Sequence, residues 1–200
     1  DRWYVSVQVD VTDGQFYRKR DSHNVIGVDL GIKSAAAFSD GTVVEAPKPL
    51  AKCLRRLRVR SRRLSRKVKG SNNRRKSSLR LARLHARIAN VRTDFVHKLT
   101  TRICRENQTV VIEDLNVRGM SKNERLSRAI SDAGFGMFRQ QIEYKCERYG
   151  TRLVVADRWY PSSKLCSVCG WKNEALTLED RVWDCQLCKT HHDRDVNAAR

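Results

Sequence analysis

Four cysteines spaced Cys166-x2-Cys169-x15-Cys185-x2-Cys188 constrain this chain more than any other feature. Each C-x2-C knuckle presents two thiolates from one tight turn, and the intervening loop lets the two pairs face each other. The spacing therefore predicts a ribbon closed on a tetrahedral zinc ion. With sulfur at all four positions the ion has no open coordination site and is expected to be structural, which leaves the adjacent His191 and His192 outside the ligand set. Two disulfides, or four unrelated buried thiols, are the alternative readings. Cys53, Cys104 and Cys146 follow no spacing pattern and lie in apolar-periodic stretches, where cysteine serves as a small buried hydrophobe. An odd total of seven fits a reducing, intracellular protein.

Charge points to a partner. The 41 Lys and Arg against 22 Asp and Glu give a formal net charge of +19 over 200 residues, a balance that favours binding to a polyanion. The charge is also concentrated, because Lys48 to Arg102 holds 20 Lys and Arg and a single acid, Asp94. A solvated helix face usually mixes signs. A nearly pure basic run instead reads as a stripe for phosphates, with Arg55, Arg58, Arg62, Arg66, Arg74 and Arg83 as candidate contacts. The sequence contains no apolar run of about 18 residues and no visible signal peptide. A cytoplasmic, nucleoid-associated protein without a membrane partner is expected.

Trp3–Val9 alternates apolar and polar residues as a strand does, and polar Asp21–Asn24 links it to Val25–Leu30, which reads as a buried strand. Ala35–Ser39 reads as another strand, with Asp40-Gly41 as the turn into Thr42–Glu45. From Leu50 the period becomes helical. Leu54, Leu57, Leu64 and Val68 form a thin seam, Gly70–Asn73 breaks it, and Leu81, Leu84, Ile88, Val91, Phe95, Leu99 and Ile103 resume it. This predicts a long basic helical hairpin over residues 48–104. Thr109–Ile112 reads as a central strand, Gly136–Tyr149 as a helix stopped by Gly150, and Arg152–Ala156 as a further buried strand. Strands followed by alternating helices and strands indicate an α/β domain with a mixed sheet.

Two of the apolar runs end in acids, Asp29 and Glu113, and Asp195 lies where a helix is expected to start. A carboxylate against an apolar sheet is costly unless something satisfies it. Three carboxylates gathered from distant segments can hold two Mg²⁺ ions in a phosphodiester-cleaving site. Equally, Asp29 and Asp195 can be turn or cap residues, and Glu113 can pair with a basic neighbour. Spacing leaves both readings open.

The segments Ile26–Lys33, Val111–Val117 and Asp193–Ala199, together with the two cysteine knuckles, closely resemble the TnpB family. These are transposon-encoded RNA-guided nucleases related to type V CRISPR effectors. Ser131–Gly136 and Asp157–Lys164 extend the resemblance, which runs from about Asn24 to Arg200. It implies an RNase H-like (RuvC) α/β fold: a mixed sheet, the long basic helical hairpin, and an inserted four-cysteine zinc ribbon. Carried over residue by residue, it makes Asp29, Glu113 and Asp195 the catalytic, magnesium-binding carboxylates, with Asp114 and Asp193 in support. Cys166, Cys169, Cys185 and Cys188 become the zinc ligands, and Lys33 and Arg158 candidate phosphate contacts. The implied organisation is residues 1–24 as the end of an N-terminal region plus linker and 25–160 as the nuclease core. Residues 161–190 would be the ribbon, and 191–200 a return to the core.

The implied activity is hydrolysis of DNA phosphodiesters with two metal ions, directed by a guide RNA in the full-length protein. A non-catalytic derivative acting as repressor or scaffold, and a Holliday-junction or RNase H-type enzyme, are the competing expectations. Family members carry a large N-terminal portion that handles guide and target, of which only the first twenty or so residues here could be the end. The chain starts at Asp1 without methionine and stops at Arg200 inside a predicted helix, so both ends are expected to be cut.

Overall fold

The computed structural model of the chain describes residues 5–9, 24–177 and 179–200. Its first strands are β1 (Val25–Asp29), β2 (Ser34–Phe38) and β3 (Val43–Glu45), joined as an antiparallel meander. The helices α1 (Pro49–Ser65) and α2 (Asn72–Glu106) form the expected hairpin and lead into β4 (Thr109–Glu113). Two short helices, α3 (Val117–Ser121) and α4 (Ser127–Ala133), precede α5 (Phe135–Tyr149) and β5 (Arg152–Ala156). Beyond them β6 (Val182–Asp184) and β7 (His191–Asp193) pair as a separate small sheet, and α6 (Arg194–Ala199) follows β7 directly.

The main sheet has the order β3-β2-β1-β4-β5, with β1, β4 and β5 mutually parallel, so the expected mixed α/β sheet is present. Side chains alternate across a strand, so register decides what shares a face. Ile26 lies beside Val110 and Val28 beside Ile112, which places all four on one face. There they meet Val96, Leu99 and Ile103 of α2 and Phe138 and Ile142 of α5 in the main core. Gly27 and Asp29 alternate onto the opposite face, with Val111 and Glu113 beside them. At Gly27 a Cβ would overlap the carbonyl oxygen of Ala199, so only glycine lets α6 lie directly on β1.

The basic hairpin is held at three places. Leu57 packs against Leu84 and Ile88 in a small second core. The start of α1 has a left-handed Lys48 (φ 46°) and no local side-chain cap. Its cap comes from Asp132 of α4, whose two carboxylate oxygens accept from the N–H groups of Leu50 and Ala51, each at 2.9 Å. Arg92 of α2 pairs with the same buried carboxylate at 3.3 Å, tying α1, α2 and α4 together. The helix α2 begins at a local cap, Ser71, whose side chain accepts from the Arg74 N–H at 3.2 Å.

Among the described residues, the expected strand Trp3–Val9 is not seen. Val5–Val9 has no regular structure and leaves Val5, Val7 and Val9 exposed, because alternation alone does not supply a sheet edge to pair with. Trp3, Tyr4 and the linker Asp21–His23 lie outside the described residues.

Candidate functional site

Because β1 and β4 run parallel with Val28 beside Ile112, the next residues of each, Asp29 and Glu113, leave the sheet at the same end and on the α6 face. Asp195 sits in the first turn of α6, the helix laid on β1. Asp29 senses both of the other acids. Burial raises the Asp29 carboxyl from an ordinary 3.8 to about 7, and the negative charges of Glu113 and Asp195 push it the same way, against Arg194 and the Leu30 N–H. Glu113 accepts a 2.6 Å hydrogen bond from the Ser162 hydroxyl, and the Asp195 carboxylate lies 3.5 Å from both Arg181 and Arg194. Among the described residues this trio does not close to the spacing the cysteines reach. Like charges keep acids apart, and hard cations with oxygen ligands are what such a set would take.

The neighbouring acids have other occupations. Asp193 caps α6, its Oδ1 accepting from the N–H groups of Asp195 and Val196 at 3.0 Å each. Asp114 is ion-paired with Arg158, whose Nε also donates to the Asp114 carbonyl at 3.2 Å. Beside Glu113 runs a groove of about 280 Å³ lined by Gly27, Asp157, Tyr160, Ser162 and Arg200 among others.

The four cysteine sulfurs lie within 4.8 Å of one another. Cys166 is 3.6 Å from Cys188 and Cys169 is 3.5 Å from Cys185, close to the roughly 3.8 Å between sulfurs that each sit about 2.3 Å from a tetrahedral zinc. The quartet could therefore hold a metal such as zinc. The knuckles repeat one geometry: Gly170 N–H donates to Cys166 O at 2.8 Å and Lys189 N–H to Cys185 O at 2.9 Å. Both of these donor residues are left-handed, φ 74° and 59°. Hydrogen bonds from Thr190 hold the Cys188 thiol down to about 6, toward the thiolate that binds metal. His192 stands outside the quartet, yet it is buried with Nε2 3.1 Å from Cys166 Sγ and its ring 4.7 Å from that of Trp183. Alternation in β7, which turns His192 inward and His191 and Asp193 outward, was the available signal.

Of the basic candidates, Arg55, Arg58, Arg62, Arg66 and Arg83 are exposed along the hairpin, and Lys33 is exposed just before β2. Arg74 is half-buried instead. Its guanidinium donates to the carbonyls of Leu64 and Lys67 at 3.2 and 3.1 Å, so it braces the end of α1. Arg158 is engaged by Asp114. Sequence reasoning missed Ser162 and Asp132, whose partners lie 49 and 82 residues away and leave no local pattern. No helix among the described residues is long and apolar enough to cross a membrane.

Comparison with known proteins completes the picture. The sequence profile of the family described as "Probable transposase" matches residues 4–124, and that described as "Cas12f1-like, TNB domain" matches residues 135–200. A Streptomyces pristinaespiralis protein named "Putative RNA-guided DNA endonuclease" is 49% identical over 199 residues, covering 100% of this chain and 48% of its own. "Putative RNA-guided DNA endonuclease InsQ" of Escherichia coli K12 is 34% identical over 215 residues, covering 100% of this chain and 52% of its own. In the "Cryo-EM structure of the Cas12f1-sgRNA-target DNA complex", one chain shares the fold with a TM-score of 0.58 at 19% identity. That match covers 96% of this chain and 50% of that one. The chain thus spans about half the length of the curated relatives it matches. A family match over more than half of its residues, joined to these relatives, places the chain in the TnpB family.

Proposed function

We propose that this chain is the RuvC-type nuclease portion of an RNA-guided DNA endonuclease, with Asp29, Glu113 and Asp195 holding two magnesium ions. The observation that supports this reading is the register that brings Asp29 of β1 and Glu113 of β4 to one end of the sheet, under the helix α6 that carries Asp195, with the Asp29 carboxyl raised by burial and by the other two acids. Bound there, a pair of divalent cations supplies an activated water and stabilises the leaving oxygen of a phosphodiester. The chain's own residues orient that set. Ser162 donates to the Glu113 carboxylate, Asp193 caps the turn of α6 that carries Asp195, and Gly27 lets α6 approach β1 closely enough to bring Asp195 in.

Residues 25–160 and 191–200 are read as the catalytic unit, 161–190 as a ribbon stapled by zinc, and 1–24 as the end of a preceding region. The hairpin grips a DNA strand by its phosphates through Arg55, Arg58, Arg62, Arg66 and Arg83, with Lys33, exposed between β1 and β2, as a further phosphate contact. A guide RNA would supply sequence specificity in the full-length protein, in a cytoplasmic, nucleoid-associated setting.

Asp29→Ala, Glu113→Ala and Asp195→Ala are each expected to abolish Mg²⁺-dependent cleavage of single-stranded DNA while leaving DNA binding within about twofold, because binding rests on Lys and Arg. Asp193→Ala should retain most activity, since it loses a helix cap worth about 1 kcal/mol. Cleavage persisting in the Asp195 variant, or equal loss in the Asp193 variant, would overturn the assignment.

A further inference from the structure

The turn after β5 displays two aromatic rings to solvent. Trp159 is 85% exposed and Tyr160 is 58% exposed, whereas Trp183 of the ribbon is buried and Trp171 packs against it with ring centroids 6.5 Å apart. Single exposed hydrophobes are ordinary. These two differ in being adjacent and in being held by a closed set of bonds. The Asp157 carboxylate accepts from the Trp159 N–H at 2.7 Å, the Asp157 carbonyl from the Tyr160 N–H at 3.1 Å, and the Tyr160 carbonyl from the Ser162 N–H at 2.8 Å. Between the rings and the sheet, Arg158 is anchored to both the carboxylate and the carbonyl of Asp114. The turn is therefore a fixed mount.

Its position gives the mount a purpose. Tyr160 lines the same groove as Glu113 and Ser162, and Ser162 is the residue that holds the Glu113 carboxylate. A polyanion drawn to this +19 chain and entering that groove meets Tyr160 in its wall beside Glu113, with Trp159 the adjacent residue of the same turn. Strands without a partner are bound by a basic track combined with aromatic faces on which bases stack, and every base has such a face. A paired base has its faces covered by its neighbours in the duplex, so only an unpaired or extruded base can use the mount.

We propose that Trp159 and Tyr160 form a stacking platform for an unpaired base of the DNA strand whose adjoining phosphate enters the groove at Glu113. This rests on the nuclease reading for the identity of the strand. The platform itself acts in binding and in register. Stacking fixes where along the strand a phosphate meets the acids, so Trp159 and Tyr160 are positioning residues.

The test uses the full chain, zinc-loaded and without Mg²⁺, so that binding is measured apart from cleavage. Fluorescence anisotropy would compare an oligothymidylate with an abasic phosphodiester chain of the same length. Trp159→Ala is expected to weaken oligothymidylate binding by about fivefold or more and to leave abasic binding within about twofold; Trp159→Phe should restore most of the difference. Tyr160→Ala should act in the same direction. Zinc content and melting temperature should match the parent, because neither ring is part of a core. Equal weakening for both ligands, or no weakening for either, overturns the platform. A loss confined to oligouridylate would assign the rings to an RNA strand and overturn the proposal as well. Base-dependent binding without any cleavage in Mg²⁺ would support the platform while counting against the nuclease reading alone.

Discussion

A carboxyl held at about 7 in the folded chain, against 3.8 in an ordinary aspartate, makes folding depend on pH. The folded value of Asp29 is the raised one, so its contribution to stability is full below 3.8 and is lost as pH rises through about 7. Above that range, in the absence of divalent cations, the folded state carries a penalty on the order of 4 kcal/mol for ionising Asp29, first because it is buried and then because Glu113 and Asp195 lie beside it. Asp29→Asn removes this titration. Metal-free Asp29→Asn protein is therefore expected to melt at nearly the parent temperature near pH 4 and well above it near pH 8. Thermal melts across that range check this; a gap that does not widen with pH would mean that the Asp29 carboxyl is neither buried nor crowded by the other two acids.

At the scale of elements, two long-range ties hold pieces that have little local stability. Removing the Asp132 carboxylate leaves the N–H groups of Leu50 and Ala51 without their acceptors and Arg92 with only the Asp132 carbonyl in place of a charged partner. Asp132→Ala should cost about 2 kcal/mol in urea unfolding, and the amides of Leu50 and Ala51 should exchange faster. Zinc held by the four cysteines would tie the ribbon more strongly, since a four-thiolate zinc site contributes on the order of 10 kcal/mol. Cys185→Ser, or chelation of the parent, should release zinc and loosen β6, β7 and α6 while α2 and α5 stay protected, as metal analysis and hydrogen exchange would report. What sequence reveals follows the same division. The hairpin, β1, β4, α5 and the knuckles were legible because each carries its own period, stop signal or spacing. The helices α3 and α4 were not, being 5 and 7 residues long, and Asp132 in α4 makes its bonds to α1 and α2. Val5–Val9 misled because a pattern states which face could be buried and not whether anything covers it. Of the three acids, Asp29 and Glu113 were legible as charges that end apolar runs, and Asp195 only as an acid at an expected helix start, with the family resemblance joining it to the others. The Ser162 contact to Glu113 was not, because only the folded chain brings the two together.

Over the whole molecule, the charge works as a directed field. The exposed arginines lie on the hairpin that projects from the sheet, and each phosphate they neutralise on duplex DNA adds about −0.9 to the slope of log affinity against log salt. Replacing four of Arg55, Arg58, Arg62, Arg66 and Arg83 by Gln should flatten that slope by up to about 3.6 and weaken binding alike for all sequences. Arg74→Gln should instead lower the melting temperature, since its guanidinium braces the end of α1. The wide separation of Asp29, Glu113 and Asp195 along the chain has a temporal consequence. A ribosome adding about 5–20 residues per second needs on the order of ten seconds or more to pass from the first of these acids to the last. During that interval the emerging hairpin is already fully charged and attractive to nucleic acid, while α6 has yet to settle on Gly27. On the proposed reading, a nascent chain would meet DNA before its three acids come together, a delay set by their order along the chain.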